Sequence, residues 1–168
     1  VMKGLLVPFL MAIVVFYTPE LRRAFSGTKR RGLFRSSQTS SSQLDSVLNA
    51  CTNLVSKKRG ALIVFPRNTD LKNIYESGTK LNADLSANLI LTIFDHDTHL
   101  HDGACVIQGG KCTYAACYLP LSKQTSIKDT FGTRHRAALG LSEESDAVIL
   151  IVSEETGAIS LAYNANIY

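Results

Sequence analysis

Apolar positions recur along this chain with two different periods, and their interleaving sets the expected class. Leu44, Val47, Leu48, Cys51, Leu54 and Val55 fall three and four residues apart, the spacing of one helix face. That run closes on Lys57, Lys58, Arg59 and Gly60, a basic helix end followed by a glycine. Ala61 to Phe65 is a continuous apolar run stopped by Pro66 and predicts a short buried strand. Leu85, Leu89, Ile90 and Ile93 mark a second helix face. Ala104 to Gln108 and Lys111 to Tyr118 flank Gly109-Gly110, which predicts a hairpin. Ala147 to Val152 and Ala158 to Tyr163 flank the segment 153–157 and predict another. A helix of roughly Arg134 to Leu141 lies between the hairpins. Helices alternate with strands, yet two strand pairs are antiparallel. The expectation is a single α/β domain with a mixed central β-sheet flanked by helices.

The region before that domain differs. Ser36 to Gln43 is polar and serine-rich without apolar periodicity, so it reads as a linker and helix cap. The net charge of +4 divides unevenly: residues 1–35 carry seven Lys or Arg against Glu20 alone, while residues 36–168 carry eleven bases against thirteen acids. The body is slightly acidic, which argues against a general nucleic-acid binder. Leu5 to Tyr17 is an apolar run interrupted by Pro8, shorter than the ~20 residues that span a bilayer. The basic residues follow it, unlike a secretory signal and like a membrane segment with a cytoplasmic flank. The reading is part of a membrane helix over 1–24, a basic and Ser-rich linker over 25–43 and a folded domain over 44–163. Cys51, Cys105, Cys112 and Cys117 show no Cys-x-x-Cys pairing and are expected to be buried free thiols.

Two segments hold the candidate chemistry. His101-Asp102-Gly103-Ala104 sets an imidazole and a carboxylate beside a glycine that admits close approach. Gly132-Thr133-Arg134-His135-Arg136 places two guanidinium groups, an imidazole and a hydroxyl at a helix start, where free N–H groups and fork-shaped donors suit phosphate. Cations there oppose the helix dipole unless an anion arrives, which favours the phosphate role. An acid on one side and a phosphate clamp on the other suggest chemistry on a nucleotide. The run from Asp95 to Asp102 is rich in His and Asp and raises a metal-dependent hydrolase as a rival, but it has no His-x-x-x-His spacing. An isolated Asp-Gly is by default a turn.

These segments, Asp102-Gly103-Ala104 and Arg134-His135-Arg136, resemble the paired signature of diadenylate cyclases. Gly60-Ala61-Leu62-Ile63-Val64, Leu100 to Ala104, Cys117 to Ser122 and Val152 to Gly157 resemble further blocks of that family in the family's order, over roughly residues 44–162. Pro19 to Arg23 resembles the stretch that follows the last transmembrane helix of membrane-anchored members. Cys105 and Ala158 depart from the aliphatic residue and the glycine expected there, outside the presumed reacting groups.

The resemblance implies a nucleotidyltransferase that condenses two ATP into cyclic di-AMP and two pyrophosphates, working as a face-to-face dimer at the cytoplasmic side of the cell membrane. Asp102 would hold Mn²⁺ or Mg²⁺ and position the ribose 3′-hydroxyl, with His101 as a neighbouring metal ligand. Thr133, Arg134, His135 and Arg136 would meet phosphate, with Arg134 and Arg136 counted among the catalytic groups. Tyr118 and Leu119 would line the adenine pocket. Gly60, Ala61, Leu62, Gly103 and Ala104 would form pocket wall, and Ser153, Glu154 and Glu155 would lie near phosphates and metal. Family members are associated with a membrane regulator and a cell-wall precursor enzyme. The alternative is a catalytically silent module that senses ATP or cyclic di-AMP.

Overall fold

A computed structural model of the chain describes residues 33–124 and 132–168. By its contacts the chain divides into Val1–Thr39 and Ser40–Tyr168, and the sheet lies in the second unit. The membrane segment expected over 1–24 lies outside the described residues. Among the described residues, no helix is long and apolar enough to cross a membrane.

The first helix, α1 (Leu33–Ser56), buries Val47, Ala50, Cys51 and Leu54, a stripe at three- and four-residue spacing. It begins well before the predicted face, so the serine-rich stretch read as linker is helical from residue 33 onward. Serine hydroxyls can bond back to the preceding turn rather than break it, as Ser46 does to the Ser42 carbonyl at 3.0 Å. Past the helix end at Ser56, Lys58 adopts a left-handed φ of 50°, while Arg59 N–H bonds the Leu54 carbonyl at 2.9 Å.

The elements that follow are β1 (Ala61–Phe65), α2 (Lys72–Ser77), β2 (Thr79–Asp84), α3 (Ala87–Ile93), β3 (Ala104–Gln108) and β4 (Lys111–Cys117). Then come α4 (Thr133–Glu144), β5 (Val148–Val152), β6 (Ile159–Tyr163) and β7 (Asn166–Ile167). They form a seven-stranded sheet in the order β2-β4-β3-β1-β5-β6-β7. Only β1 and β3 pair in parallel (Ile63 opposite Cys105); the other pairs are antiparallel. The mixed sheet is as expected, and both hairpins form, β3–β4 turning on Gly109 and Gly110 with φ of 59° and 75°.

Alternate strand residues face opposite layers. Ala61, Ile63, Cys105, Ile107, Leu150 and Val152 pack with α1 and α3. Leu62, Val64, Ala104, Val106, Ile149 and Ile151 pack with α4, and Ile74 and Tyr75 of α2 join them. All four cysteines are free and buried. Burial lifts the Cys51 and Cys117 thiols to about 11, and a hydrogen bond with Cys112 together with burial raises that of Cys105. Cys51, Cys105 and Cys117 are therefore not poised as nucleophiles, while the same hydrogen bond lowers the pKa of Cys112, whose side chain is buried.

Candidate active site

The pairing brings the starts of β1 and β3 and the ends of β4 and β5 to one end of the sheet. The predicted segments are carried there. Asp102 and Gly103 lead into β3, Tyr118 and Leu119 leave β4, Ser153 and Glu154 leave β5, and α4 begins at Thr133. A cavity of about 420 Å³ is lined by Leu62, Asp102, Gly103, Tyr118, Leu119, Thr133, Arg134 and Glu154, together with Cys117, Leu121 and Ala137. A neighbouring cavity of about 210 Å³ shares Thr133, Arg134 and Glu154 and adds His135, Ser153 and Glu155.

Two glycines make this approach possible. Gly103 has a φ of 125°, and a Cβ there would lie 2.7 Å from the Ala116 carbonyl carbon and 2.8 Å from the Cys117 oxygen. Ala116 is itself left-handed at 54°, so the end of β4 is bent against the Asp102 turn. Gly60 lies under the Arg134 guanidinium, where a Cβ would stand 2.7 Å from Cζ.

Arg134 Nη1 donates to Glu154 Oε2 at 2.8 Å. The guanidinium thus lies between the Gly60 backbone and a carboxylate from the β5–β6 loop. That loop is fixed by its own bonds: Ser153 N–H to the Ala158 carbonyl at 2.9 Å and Thr156 N–H to Ser153 Oγ at 3.2 Å. Helix α4 has Gly132 as its N-cap, with no side-chain cap and no acid in its first turn. Glu154 is therefore the carboxylate that offsets a cation at the positive end of the helix. Burial lowers the pKa of His135, and the Glu155 carboxylate opposes that shift.

Other predicted residues lie elsewhere. Arg136 is part-buried, and its carbonyl accepts from Ser122 N–H at 3.0 Å, but it lines neither cavity. Ala61 faces the α1 layer, and Ala104 is buried in the apolar layer on the α4 side. His101 lines neither cavity. Its Nδ1 bonds the Thr98 carbonyl at 2.5 Å and its ring meets His96 edge-on at 5.5 Å. A backbone carbonyl on Nδ1 requires the tautomer with its proton there and the acceptor lone pair on Nε2. Leu121 and Ala137 line the larger cavity without having been singled out, because apolar residues at a strand exit and inside a helix carry no mark of a site.

The donor set bears on a metal. Among the described residues, no three His, Cys, Asp or Glu side chains come together as a cage. The run from Asp95 to Asp102 does not gather into the zinc-type grouping that its composition suggested. Asp102 and Glu154 offer carboxylate oxygens to one cavity. Hard oxygen donors of that kind fit a divalent ion bound by one or two carboxylates plus substrate phosphates.

A family model described as DAC, the DisA bacterial checkpoint controller nucleotide-binding family, matches residues 48–167. The chain is 39% identical over 163 residues to the cyclic di-AMP synthase CdaA of Bacillus subtilis, which covers 94% of this chain and 60% of that protein. It is 48% identical over 122 residues to the diadenylate cyclase CdaS of Bacillus thuringiensis, covering 73% of this chain and 61% of the relative. The chain thus spans about 60% of the length of these relatives. A crystal structure of DacA from Staphylococcus aureus superposes with a TM-score of 0.76 at 42% identity, over 78% of this chain and 87% of that one. A hypothetical membrane spanning protein from Bacillus cereus does so with 0.72 at 38% identity, over 92% and 78%.

Proposed function

The chain belongs to the DAC nucleotide-binding family, and from that premise we propose that it is a diadenylate cyclase, joining two ATP into cyclic di-AMP with release of two pyrophosphates. The observation that carries this reading is the cavity where Asp102, Tyr118, Leu119, Thr133, Arg134 and Glu154 meet, drawn from four separate stretches of chain. In each half-reaction a ribose 3′-oxygen bonds the α-phosphorus of the other ATP. The bond from that phosphorus to the bridging oxygen breaks, and the hydroxyl proton leaves to Asp102 or to solvent. Tyr118 and Leu119 hold the base, while Thr133 and Arg134 hold phosphate. Arg136, which lines neither cavity, would reach phosphate only from beside the clamp.

Mn²⁺ or Mg²⁺ would be held by Asp102 together with substrate phosphates, with His101 Nε2 as the neighbouring donor that the resemblance implies, and would supply charge neutralisation at the α-phosphate. Transfer of this kind depends mainly on positioning and charge, which is what the chain's own residues provide. One domain offers one such cavity, and its mouth is open, with Tyr118 64% exposed and Leu121 52% exposed. A second chain would bring the second ATP opposite, so activity requires self-association. The chain's resemblance to a membrane spanning protein supports membrane association; the apolar run Leu5 to Tyr17 and the basic residues after it are the grounds for attachment through the N-terminal region with the catalytic domain on the cytoplasmic side.

The test is incubation of the protein with ATP and Mn²⁺ and detection of cyclic di-AMP by mass spectrometry, at several protein concentrations and beside Asp102→Asn. Product from the wild type alone, rising faster than linearly with protein, supports the cyclase and its two-chain site. ATP binding without product over the whole concentration range replaces it with the sensing module.

A further inference from the structure

The segment after β4 forms one wall of the larger cavity through Tyr118, Leu119 and Leu121, and α4 forms the facing wall through Thr133, Arg134 and Ala137. These walls come from the exit of β4 and the start of α4, and the space between them is the space a nucleotide would occupy. Something must fix their separation.

Three contacts along one stripe of α4 do so. The Arg136 carbonyl accepts from Ser122 N–H at 3.0 Å. At Gly140 the segment lies directly against the helix: a Cβ there would run into the Pro120 carbonyl oxygen, with Ser122 N at 2.7 Å and the Leu121 carbonyl carbon at 2.8 Å. One turn on, Glu143 Oε1 accepts from Ser122 Oγ and from Gln124 Nε2, both at 2.7 Å. Positions 136, 140 and 143 follow the spacing of one helix face. On the other side, Tyr118 N–H donates to Ser77 Oγ at 3.0 Å, so the segment is also tied to α2.

Glu143 is the informative member. An acid in the last turn of a helix opposes the helix dipole, and α4 has no base in that turn. Helix stability does not explain a carboxylate there. Its two short bonds to the cavity wall do, and Ser122, its first donor, is only 6% exposed.

We infer that Glu143 is a positioning residue for the nucleotide site: through Ser122 and Gln124 it holds the base-side wall at a fixed distance from the phosphate-side helix. It touches no substrate. The inference rests on the cavity being the ATP site proposed above, and it concerns binding geometry rather than the chemical step.

The test compares Glu143→Ala, Glu143→Gln and Ser122→Ala with the wild type, measuring ATP dissociation constant with Mn²⁺ by calorimetry, steady-state KM and kcat, and thermal midpoint. Glu143→Ala leaves the buried Ser122 hydroxyl without its acceptor, and about tenfold weaker ATP binding with a matching rise in KM is expected, kcat changing by less than about twofold. Glu143→Gln keeps an oxygen acceptor at the same place and restores binding to within about twofold of the wild type. Ser122→Ala removes one of the two bonds and falls between. Should Glu143→Ala prove too unstable to assay, the ordering of Ser122→Ala below Glu143→Gln decides the matter. ATP binding at wild-type strength in Glu143→Ala, or in Ser122→Ala where that variant decides, overturns the inference. So does a loss in Glu143→Gln as large as in Glu143→Ala. A wild type that binds ATP but forms no product removes the cyclase reading alone, since the dissociation constants still report on Glu143.

Discussion

The two faces of the sheet are built from the same strands and differ in how they end. On the α1 and α3 side, Ile63, Cys105, Leu150 and Val152 run into a closed apolar layer with Leu54, Ile90, Ile93 and Phe94. On the α4 side the core is as dry beneath Val64, Val106 and Ile151, but at one end of the sheet it gives way to Asp102, Arg134 and Glu154 around a cavity. Strand parity separates the tasks: one set of residues supplies cohesion, and the other supplies cohesion plus a platform from which polar groups project. Loops and helix ends then carry the candidate site while the strands keep them in place. Substitutions should therefore dissociate, with stability lost from one face and activity from the other.

The sharpest break in that comparison is Asp102→Asn. The side chain is exposed, beside a glycine turn, and carries none of the core. Cyclic di-AMP synthesis is expected to fall on the order of 10³-fold, while the thermal midpoint stays where it is. A variant that unfolds would place Asp102 among the structural residues instead.

Ile63→Ala is the mirror image. Ile63 is fully buried in the central strand, opposite Cys105 on one side and Leu150 on the other. Removing its three outer carbons should cost about 2–5 kcal/mol of stability, read from chemical denaturation. Specific activity per folded molecule should hold. A selective loss of activity at unchanged stability would mean that the closed face communicates with the cavity.

Gly60→Ala sits where the two properties meet. The added methyl would press on the Arg134 guanidinium, the far end of a flexible side chain, rather than on backbone. The chain can yield there at little cost in stability, but Arg134 is then pushed off its place against Glu154. The expected result is about a tenfold fall in kcat/KM, since small misplacements of a positioning group are expensive in rate, with the denaturation midpoint near that of the wild type. Equal activity would show that Arg134 is not held by Gly60 in the working enzyme.

How much of this was legible in the sequence follows from how locally each feature is encoded. β1, β3, β4, β5 and β6 were read to within a residue or two, because each is an apolar run bounded by Gly, Pro or a turn. β2 was missed: Thr79 to Asp84 is polar and largely exposed, and it is a strand because it pairs with β4 through Thr79–Ala115 and Ala83–Cys112. α2 is six residues long, too short to show a period, and β7 is only two. At the site, Asp102, Gly103, Tyr118, Thr133 and Arg134 were named from two short segments and a family resemblance, and they do share a cavity. The seating of Arg134 on Gly60 and the bond from Ser122 to Glu143 join residues more than twenty positions apart or sit outside any motif. No local pattern announces them. His101 shows the converse: it adjoins Asp102 in sequence, yet its ring turns to Thr98 and His96.

The faintest contrast between the faces lies in their response to acid. The closed face holds no histidine among its core residues, whereas His135 lines the smaller cavity on the α4 side. Burial lowers its pKa in the folded protein below the ordinary 6.5, and Glu155 recovers only part of that shift. The unfolded chain therefore takes up the proton first as pH falls. His135 contributes its full stability above about 6.5 and loses it progressively as pH drops toward the folded value. Denaturation midpoints at pH 7.5 and 5.5 should accordingly fall further in the wild type than in His135→Gln, which has no such proton to bind. An identical fall in both would mean that the acid sensitivity of this fold resides in its carboxylates.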